Sequence, residues 1–533
     1  MPKREHFAVV DCETDPFLYG RIPEPFIWGF YNGSEYHEFK STSLLIDFVE
    51  EYDGDIYAHN GGKFDWHFLL NWIEPDTQLS IINGRISRFK IGKATLLDSI
   101  NILPTALSAF NKMEFDYSLL EKGKREQNMP IIREYLKSDC INLFDYISEF
   151  FKHYPKSLTL AGCAFKVWRE MSNIQIPKTD QTHYLAYRDY YYGGRVECFR
   201  VGTFKGNYKI IDINSAYPRA MLERHPWNTK TLTSFSIPEN AIDLCFIKVR
   251  GHNHGALPFR DDKGKVTYEK KHGVFTCTGH ELRVALETNT FVPEKIIKVI
   301  RFRESITFRD YVNRFYELKH DCEKRGDKPG RLFAKLFLNS LYGKMASNPD
   351  EYRDWKIKRH GSATINDLKQ GWQSGSIIGD MQLFSRPANP DFAVWYNVAT
   401  GASITGWVRA FLWQSINKVS NPIYCDTDSI VCADTGNLAL SENIGDWSLE
   451  MDVNKIAIAG KKLYCAISPS GEIKKASKGA RLSADDIFDV ASGKTVTYKS
   501  DAPTFSLSLG NHFVKRDIVK AEKASYNLIA NKG

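Results

Sequence analysis

The sequence predicts a multidomain chain of α/β and α+β construction, and two observations carry that reading. Over residues 7–150, short apolar strand-like runs alternate with helix-like ones, the pattern of an α/β unit. Further on, three separated segments combine strand-like, helical and hairpin contexts: Asp212-Ile213-Asn214-Ser215-Ala216-Tyr217-Pro218, Lys335-Leu336-Phe337-Leu338-Asn339-Ser340-Leu341-Tyr342-Gly343 and Tyr424-Cys425-Asp426-Thr427-Asp428-Ser429. At 533 residues the chain has room for several cores.

Composition narrows the class. Hydrophobic residues make up 43% and charged residues 25%, ordinary values for a soluble globular protein. No apolar run is long enough to predict a membrane span. The start, Met1-Pro2-Lys3-Arg4-Glu5-His6, leads straight into a strand pattern without the apolar stretch of a signal peptide. The ten cysteines (12, 140, 163, 198, 245, 277, 322, 425, 432, 465) form no CxxC pair, so a cysteine zinc site is not expected. Several lie in apolar runs, as thiols do in a reducing, cytoplasmic setting. From Val453 onward 14 basic residues face 7 acidic ones, which accounts for the whole net charge of +7. A basic C-terminal part suits a surface that follows phosphates, although a solvated tail has the same composition.

The first of the three segments follows Tyr208-Lys209-Ile210-Ile211, an apolar run ending in the acid Asp212. Its turn through Tyr217 and Pro218 can present backbone N–H groups to phosphates, and Tyr217 can lie beneath an incoming sugar and exclude a 2′-hydroxyl. The middle segment follows Pro329-Gly330 and is helical. At 100° per residue, Arg331, Lys335, Asn339 and Tyr342 share roughly one 80° sector, a face suited to a triphosphate and a base. The last segment reads as a hairpin whose turn carries Asp426 and Asp428. Acids so close together repel unless cations neutralise them, so divalent metal is expected. Carboxylate-held metal with a lysine at the phosphates is the equipment of nucleotidyl transfer. The chain therefore reads as a nucleic-acid polymerase.

In order and wording the three segments resemble motifs A, B and C of family B DNA polymerases. Asn339-Ser340-Leu341-Tyr342-Gly343-Lys344-Met345-Ala346-Ser347-Asn348-Pro349 is similar to the protein-primed branch of small phages and linear plasmids. The resemblance implies Asp212 and Asp428 as ligands of two Mg²⁺ ions, replaceable by Mn²⁺, with Asp426 in support. It places Tyr217, Arg331, Lys335, Asn339 and Tyr342 at the dNTP. Lys462-Leu463-Tyr464 resembles the family's KxY element at the primer end. Thr405-Gly406-Trp407-Val408-Arg409 resembles its template-contact motif, which implies DNA-binding roles for Thr405 and Arg409. Lys478 resembles a primer- or nucleotide-facing lysine. Tyr191-Tyr192-Gly193-Gly194 resembles the YxGG junction, with Tyr191, Gly193 and Gly194 at DNA.

A second set of acids lies near the N-terminus. Asp11 and Glu13 alternate along a strand and share a face. Asp65 follows His59-Asn60-Gly61-Gly62-Lys63-Phe64, and Tyr135 precedes Asp139 at helical spacing. Singly, such acids are usually solvated surface groups. Together they resemble the three motifs of DEDD-type 3′–5′ exonucleases. That implies Asp11, Glu13, Asp65 and Asp139 as ligands of two metals, Tyr135 orienting the attacking water, and His59, Asn60, Phe64 and Ser99 binding the single strand. The family more often has Leu where Ile100 stands. Lys112 is a loose match to an auxiliary catalytic lysine.

The resemblance implies an RNase H-like exonuclease domain over residues 1–186 and a right-hand polymerase over 187–533. Within the latter, palm is expected at about 187–223 and 396–490, and fingers at about 319–346. A first insertion at about 224–318 would dock a terminal priming protein. A second, turn-rich insertion at about 347–395 would serve strand displacement, and a thumb would span about 491–533. Expected partners are template and primer DNA, dNTPs and a terminal protein, with a single-strand-binding protein an accessory. A monomer in a host cytoplasm is expected, with no membrane. Priming from an ordinary oligonucleotide is the alternative within the class. A DNA-binding exonuclease and a scaffold fit less well, because the expected carboxylates are present, and a reverse transcriptase would show a tighter Tyr-x-Asp-Asp turn and usually no such N-terminal nuclease.

Overall fold

The structure, a computed structural model, describes residues 7–106, 113–177, 181–238, 240–348, 351–388 and 396–521. Lys112, the ends of the second insertion and the last residues of the expected thumb lie outside them. The chain forms two compact units, each assembled from separated stretches. The first takes Met1–Val167, Asn348–Phe392 and Lys499–Lys515; the second takes Trp168–Ser347, Ala393–Tyr498 and Arg516–Gly533.

A ten-stranded sheet organises the first unit. Its strand Phe7–Thr14, third from one edge, runs parallel to Asp55–Ala58, which in turn runs parallel to Ala94–Asp98. Pro25–Tyr31 pairs antiparallel on the other side of Phe7–Thr14. Strands covered on both faces read as near-continuous apolar runs, and Phe7-Ala8-Val9-Val10 is such a run. The helix Lys122–His153 buries Ile132, Leu136, Cys140, Leu143, Ile147 and Phe150 at three- and four-residue spacing. That face lies on the strands Phe7–Thr14 and Pro25–Tyr31.

The second, turn-rich insertion is built of strands, and it does not stand free. Its strands Arg353–Arg359, Gln373–Ile378 and Met381–Pro387 extend the first unit's sheet beyond Gln78–Ile82, with Trp355 opposite Leu79. The Asp76 N–H donates to the Ile357 carbonyl at 2.7 Å, and the Ile357 N–H donates to the Thr77 carbonyl at 3.1 Å. An open strand edge leaves unpaired backbone groups, and the inserted strand satisfies them. Ile357, Met381 and Leu383 join the core, each fully buried side chain of this kind contributing about 1.5–3 kcal/mol. Two buried lysines, Lys356 and Lys358, share the Asp367 carboxylate, which also caps the helix Ile365–Lys369 from inside the turn. Residues 499–515, expected in the thumb, also belong here: Phe505 packs edge-on against Phe64 and Phe68, and Leu507 lies in the core. The compact units thus depart from the boundaries expected from sequence.

The second unit is built on a seven-stranded antiparallel sheet, in the order Ile473–Ser477, Leu463–Ile467, Trp447–Gly460, Gly202–Ile213, Ser429–Cys432, Tyr424–Asp426, Val196–Cys198. Arg309–Arg325 and Lys328–Met345 form a helical hairpin turned at Gly326, whose φ of +70° favours glycine. The second of these helices starts with Asp327 accepting from the Gly330 N–H at 2.9 Å and Pro329 in its first turn. It buries Phe333, Ala334, Phe337, Leu338, Leu341 and Met345, leaving Arg331, Lys335 and Asn339 exposed. The first insertion carries a four-stranded sheet of Thr231–Ser234, Phe291–Phe302, Cys245–Asn253 and His272–Thr278. Among the described residues no helix is long and apolar enough to cross a membrane.

Candidate active sites

In the second unit, strand pairing brings the first and third acidic segments together. Asp212 ends the strand Gly202–Ile213 and lies opposite Ser429, and the Ile213 N–H donates to the Asp428 carbonyl at 2.8 Å. The turn Asp426-Thr427-Asp428 holds Thr427 at a φ of +61°. Burial, then the neighbouring Asp428 and Glu450, push the Asp212 carboxyl up to about 7; burial likewise raises Asp428, with Asp426 and Glu450 adding to it. A half-buried carboxylate pair with raised pKa values is a donor set that a hard divalent cation stabilises, so the residues present fit the expected metal.

Asp426 is differently placed. Lys462 donates to both of its oxygens, at 2.7 and 2.8 Å, and Thr427 Oγ1 donates at 3.1 Å. That arrangement holds the turn rather than offering a free ligand. Lys462 itself has a φ of +57° at the tip between Trp447–Gly460 and Leu463–Ile467, and its N–H donates to the Tyr424 hydroxyl at 3.0 Å. The Tyr464 ring lies 5.3 Å from Tyr424, and Lys478 is exposed nearby with its N–H on the Lys462 carbonyl. Sequence reasoning missed Glu450, which a register shift in its strand brings beside Asp212 and which pairs with Lys474. Its only signal was an acid in a strand destined to neighbour that of Asp212.

The helical segment meets this pair. Lys335 is close enough to pull the Asp212 carboxyl down against burial. The Tyr217 and Tyr342 rings stack at 4.0 Å and 6°, joining two segments far apart in sequence. Asn339 donates to the Lys335 carbonyl at 3.0 Å, and Arg331 pairs with Glu323 at 3.2 Å. Gly194 is needed at its position because a Cβ there would meet the Thr427 side chain at 2.7 Å, and Gly193 beside it is exposed. Tyr191 is half-buried, with the Arg188 guanidinium 4.5 Å from its ring centre.

Two residues expected at the template are buried in this structure. Thr405 and Arg409 are each 2% exposed within the helix Val398–Ile416. Thr405 donates to the Ala402 carbonyl at 3.1 Å. Arg409 donates from Nε to Glu281 at 2.8 Å and from Nη1 to the Gly193 carbonyl at 3.0 Å and to that of Tyr192. A helix apolar on nearly all sides is core, and its arginine is spent on bracing the Gly193-Gly194 loop. Arg195, which follows Gly194, is fully buried between the rings of Tyr268 and Trp413 and pairs with Glu197, and its carbonyl accepts the Thr427 N–H at 2.7 Å.

In the first unit, the four acids converge from three elements. Asp11 and Glu13 come from Phe7–Thr14, Asp65 starts the 3-10 helix Asp65–Trp72, and Asp139 comes from Lys122–His153. The buried Cys140 thiol is held well above its ordinary value, first by burial and then by the charges of Asp11, Asp139, Glu13 and Asp65. Burial pushes Asp65 up to about 7, and Cys12 Sγ donates to it at 3.3 Å. Gly29, opposite Asp11, leaves room for this convergence: a Cβ there would meet Cys140 Sγ at 3.0 Å. Tyr135 is buried, stacks on Phe115 at 4.2 Å and lies 3.1 Å from the Tyr117 hydroxyl.

His59 and Ser99 meet, Nδ1 to Oγ at 2.9 Å, but Ser99 is fully buried and also donates to the Ala58 carbonyl at 3.2 Å. Ser99 thereby positions His59, whose Nε2 is on the Thr105 carbonyl at 2.8 Å. Asn60, at a φ of +67°, accepts from Arg85 at 2.6 Å, and Arg85 pairs with buried Asp98 at 2.9 Å. This Arg85–Asp98 brace was not read from the sequence. Phe64 is half-buried, edge-on to Phe17, Phe68 and Phe505.

Comparison with known proteins places this geometry. Residues 111–437 match the family described as DNA polymerase type B, organellar and viral. The DNA-directed DNA polymerase of Enterobacteria phage PRD1 is 36% identical over 97% of this chain and 100% of its own length. The DNA polymerase of Bacillus phage phi29 is 23% identical over 87% of this chain and 86% of its own. A solved structure of phi29 DNA polymerase shares the fold with a TM-score of 0.76, at 18% identity over 97% of this chain and 100% of that one. With the family matched over more than half its length, the chain belongs to the viral and organellar type B DNA polymerases and is a DNA-directed DNA polymerase.

Proposed function

We propose that this polymerase extends a primer with deoxynucleotides at Asp212 and Asp428, removes mispaired 3′ ends at Asp11, Glu13, Asp65 and Asp139, and starts synthesis from a terminal protein. The observation that carries it is a pair of carboxylate clusters, one in each compact unit, with the Lys335 helix and the Tyr217–Tyr342 stack at the second. The related phi29 polymerase has been solved with primer-template DNA and incoming nucleotide, and with single-stranded DNA.

In synthesis, a 3′-hydroxyl loses its proton and bonds to the α-phosphorus of a dNTP while pyrophosphate departs. Divalent cations held by Asp212 and Asp428 would supply charge neutralisation and acidify that hydroxyl. Lys335 and Arg331 lie on an exposed helix face that suits the triphosphate. Tyr217, stiffened by its stack on Tyr342, would exclude a 2′-hydroxyl from the incoming nucleotide. Lys462, by neutralising Asp426, leaves Asp212 and Asp428 as the open ligands. In the first unit, His59 and Phe64 would guide a frayed single strand, and Tyr135 would act on the water through its place one helical turn from Asp139. The first insertion, a sheet of its own, is the expected dock for the terminal protein, and the free state of all ten cysteines suits a host cytoplasm.

Extension of a primer on a single-stranded circle, with Mg²⁺, dNTPs and no helper, tests the reading. Products longer than one circle are expected and establish strand displacement. Products ending at one circle remove displacement, and primer shortening without growth would favour an exonuclease. In the same assay the double replacement Asp11→Ala with Asp65→Ala is expected to stop primer shortening, by roughly 10³-fold or more, with extension unchanged. Persistent shortening would place proofreading elsewhere.

A further inference from the structure

Three adjacent strands of the first insertion each bring one metal-binding side chain to the same exposed spot. His252 and His272 lie directly opposite each other on the antiparallel pair Cys245–Asn253 and His272–Thr278. Glu294 comes from Phe291–Phe302, on the other side of the His252 strand. Both Nε2 atoms point at the Glu294 carboxylate, at 2.9 Å from His252 to Oε1 and 3.1 Å from His272 to Oε2. The rings are 4.6 Å apart at 35°, and the three ligand atoms fall within 4.8 Å of one another.

We propose that His252, His272 and Glu294 form a binding site for one transition-metal ion, zinc foremost. The donor set selects it: imidazole nitrogen suits zinc, nickel and cobalt, whereas magnesium and calcium prefer all-oxygen sites. The distances agree. Ligand atoms each about 2.1 Å from a shared ion are about 3.0 Å apart at a right angle and about 3.4 Å apart at the tetrahedral angle. The two histidine–glutamate separations, 2.9 and 3.1 Å, need only small shifts to match. The ladder fixes the Cα positions of His252 and His272, and Glu294 stands at the register shift between Arg250 and Gly251 on the neighbouring strand. Exposed histidine–carboxylate pairs add little to folding, so stability does not account for this convergence. The site contains no cysteine, which is why cysteine spacing gave no sign of it. Its solvent side leaves coordination positions for water or for a side chain of another molecule. It lies on a different sheet from Asp212 and Asp428, so Mg²⁺-dependent synthesis is not expected to draw on it.

The test is titration of metal-stripped full-length protein with Zn²⁺ by calorimetry, in excess Mg²⁺ to fill the carboxylate sites. Co²⁺ is then added to read ligand geometry from its visible absorption. One equivalent of zinc is expected, weakened by roughly tenfold or more in Glu294→Gln and lost in His252→Ala with His272→Ala. Primer extension should be unchanged in both variants, which also shows that they fold. Absence of zinc binding, or equal binding by the double variant, would overturn the assignment.

Discussion

Replacing Asp428 with Ala is expected to abolish nucleotide incorporation, by roughly 10³-fold or more, while leaving 3′-end degradation intact. Asp428 stands in a turn whose backbone is fixed on both sides: its carbonyl accepts from Ile213, and the Thr427 N–H is held by the Arg195 carbonyl. The carboxylate rather than the fold is therefore what the substitution removes. Because Asp428 raises the Asp212 pKa, its loss also relieves repulsion in the apo protein, so thermal stability should be unchanged or slightly higher. Asp426→Ala should differ, since it frees Lys462 and loosens the turn. Normal extension by Asp428→Ala at saturating dNTP would remove Asp428 from the chemistry.

The second large effect is on stability. Arg409→Ala is expected to cost about 3–5 kcal/mol, because Glu281 would keep a buried charge with no partner. Glu281 is also committed locally, accepting the Thr278 N–H at 3.0 Å and its hydroxyl at 2.8 Å as the capping box of the helix Gly279–Glu287. The Tyr192 and Gly193 carbonyls would lose their donor as well. Denaturant unfolding should show the loss, and Arg409→Lys should recover only part of it, since a lysine cannot reproduce the guanidinium fork. A variant of wild-type stability with weakened template binding would instead support the template-contact role.

What was legible follows from how far each signal reaches. The acidic segments, the capped helix with its Arg331-Lys335-Asn339 face and the hairpin at Asp426-Thr427-Asp428 are local patterns, and the chain folds them as the pattern says. The burial of Thr405, Arg409 and Ser99 was not legible, because a polar residue in a motif looks the same whether it is exposed or braces a loop. Burial is a property of neighbours. Glu450, Arg195 and the Arg85–Asp98 brace went unseen for the same reason, since each acts on a residue distant in sequence.

The sequence by itself determined the chemistry: which carboxylates exist, their spacing along strand and helix, the cations that accompany them, and hence the family. Those are matters of local periodicity and residue type. Only the tertiary structure decided which groups meet: that Asp212 pairs across a ladder with the Asp428 turn, that Tyr217 stacks on Tyr342, and that residues 353–387 complete the sheet of the first unit. It also decided that two histidines and a glutamate share one spot on the first insertion. Such meetings depend on strand register and edge pairing between segments far apart in the chain, where the gain is backbone hydrogen bonds and buried apolar surface that no local window of sequence contains.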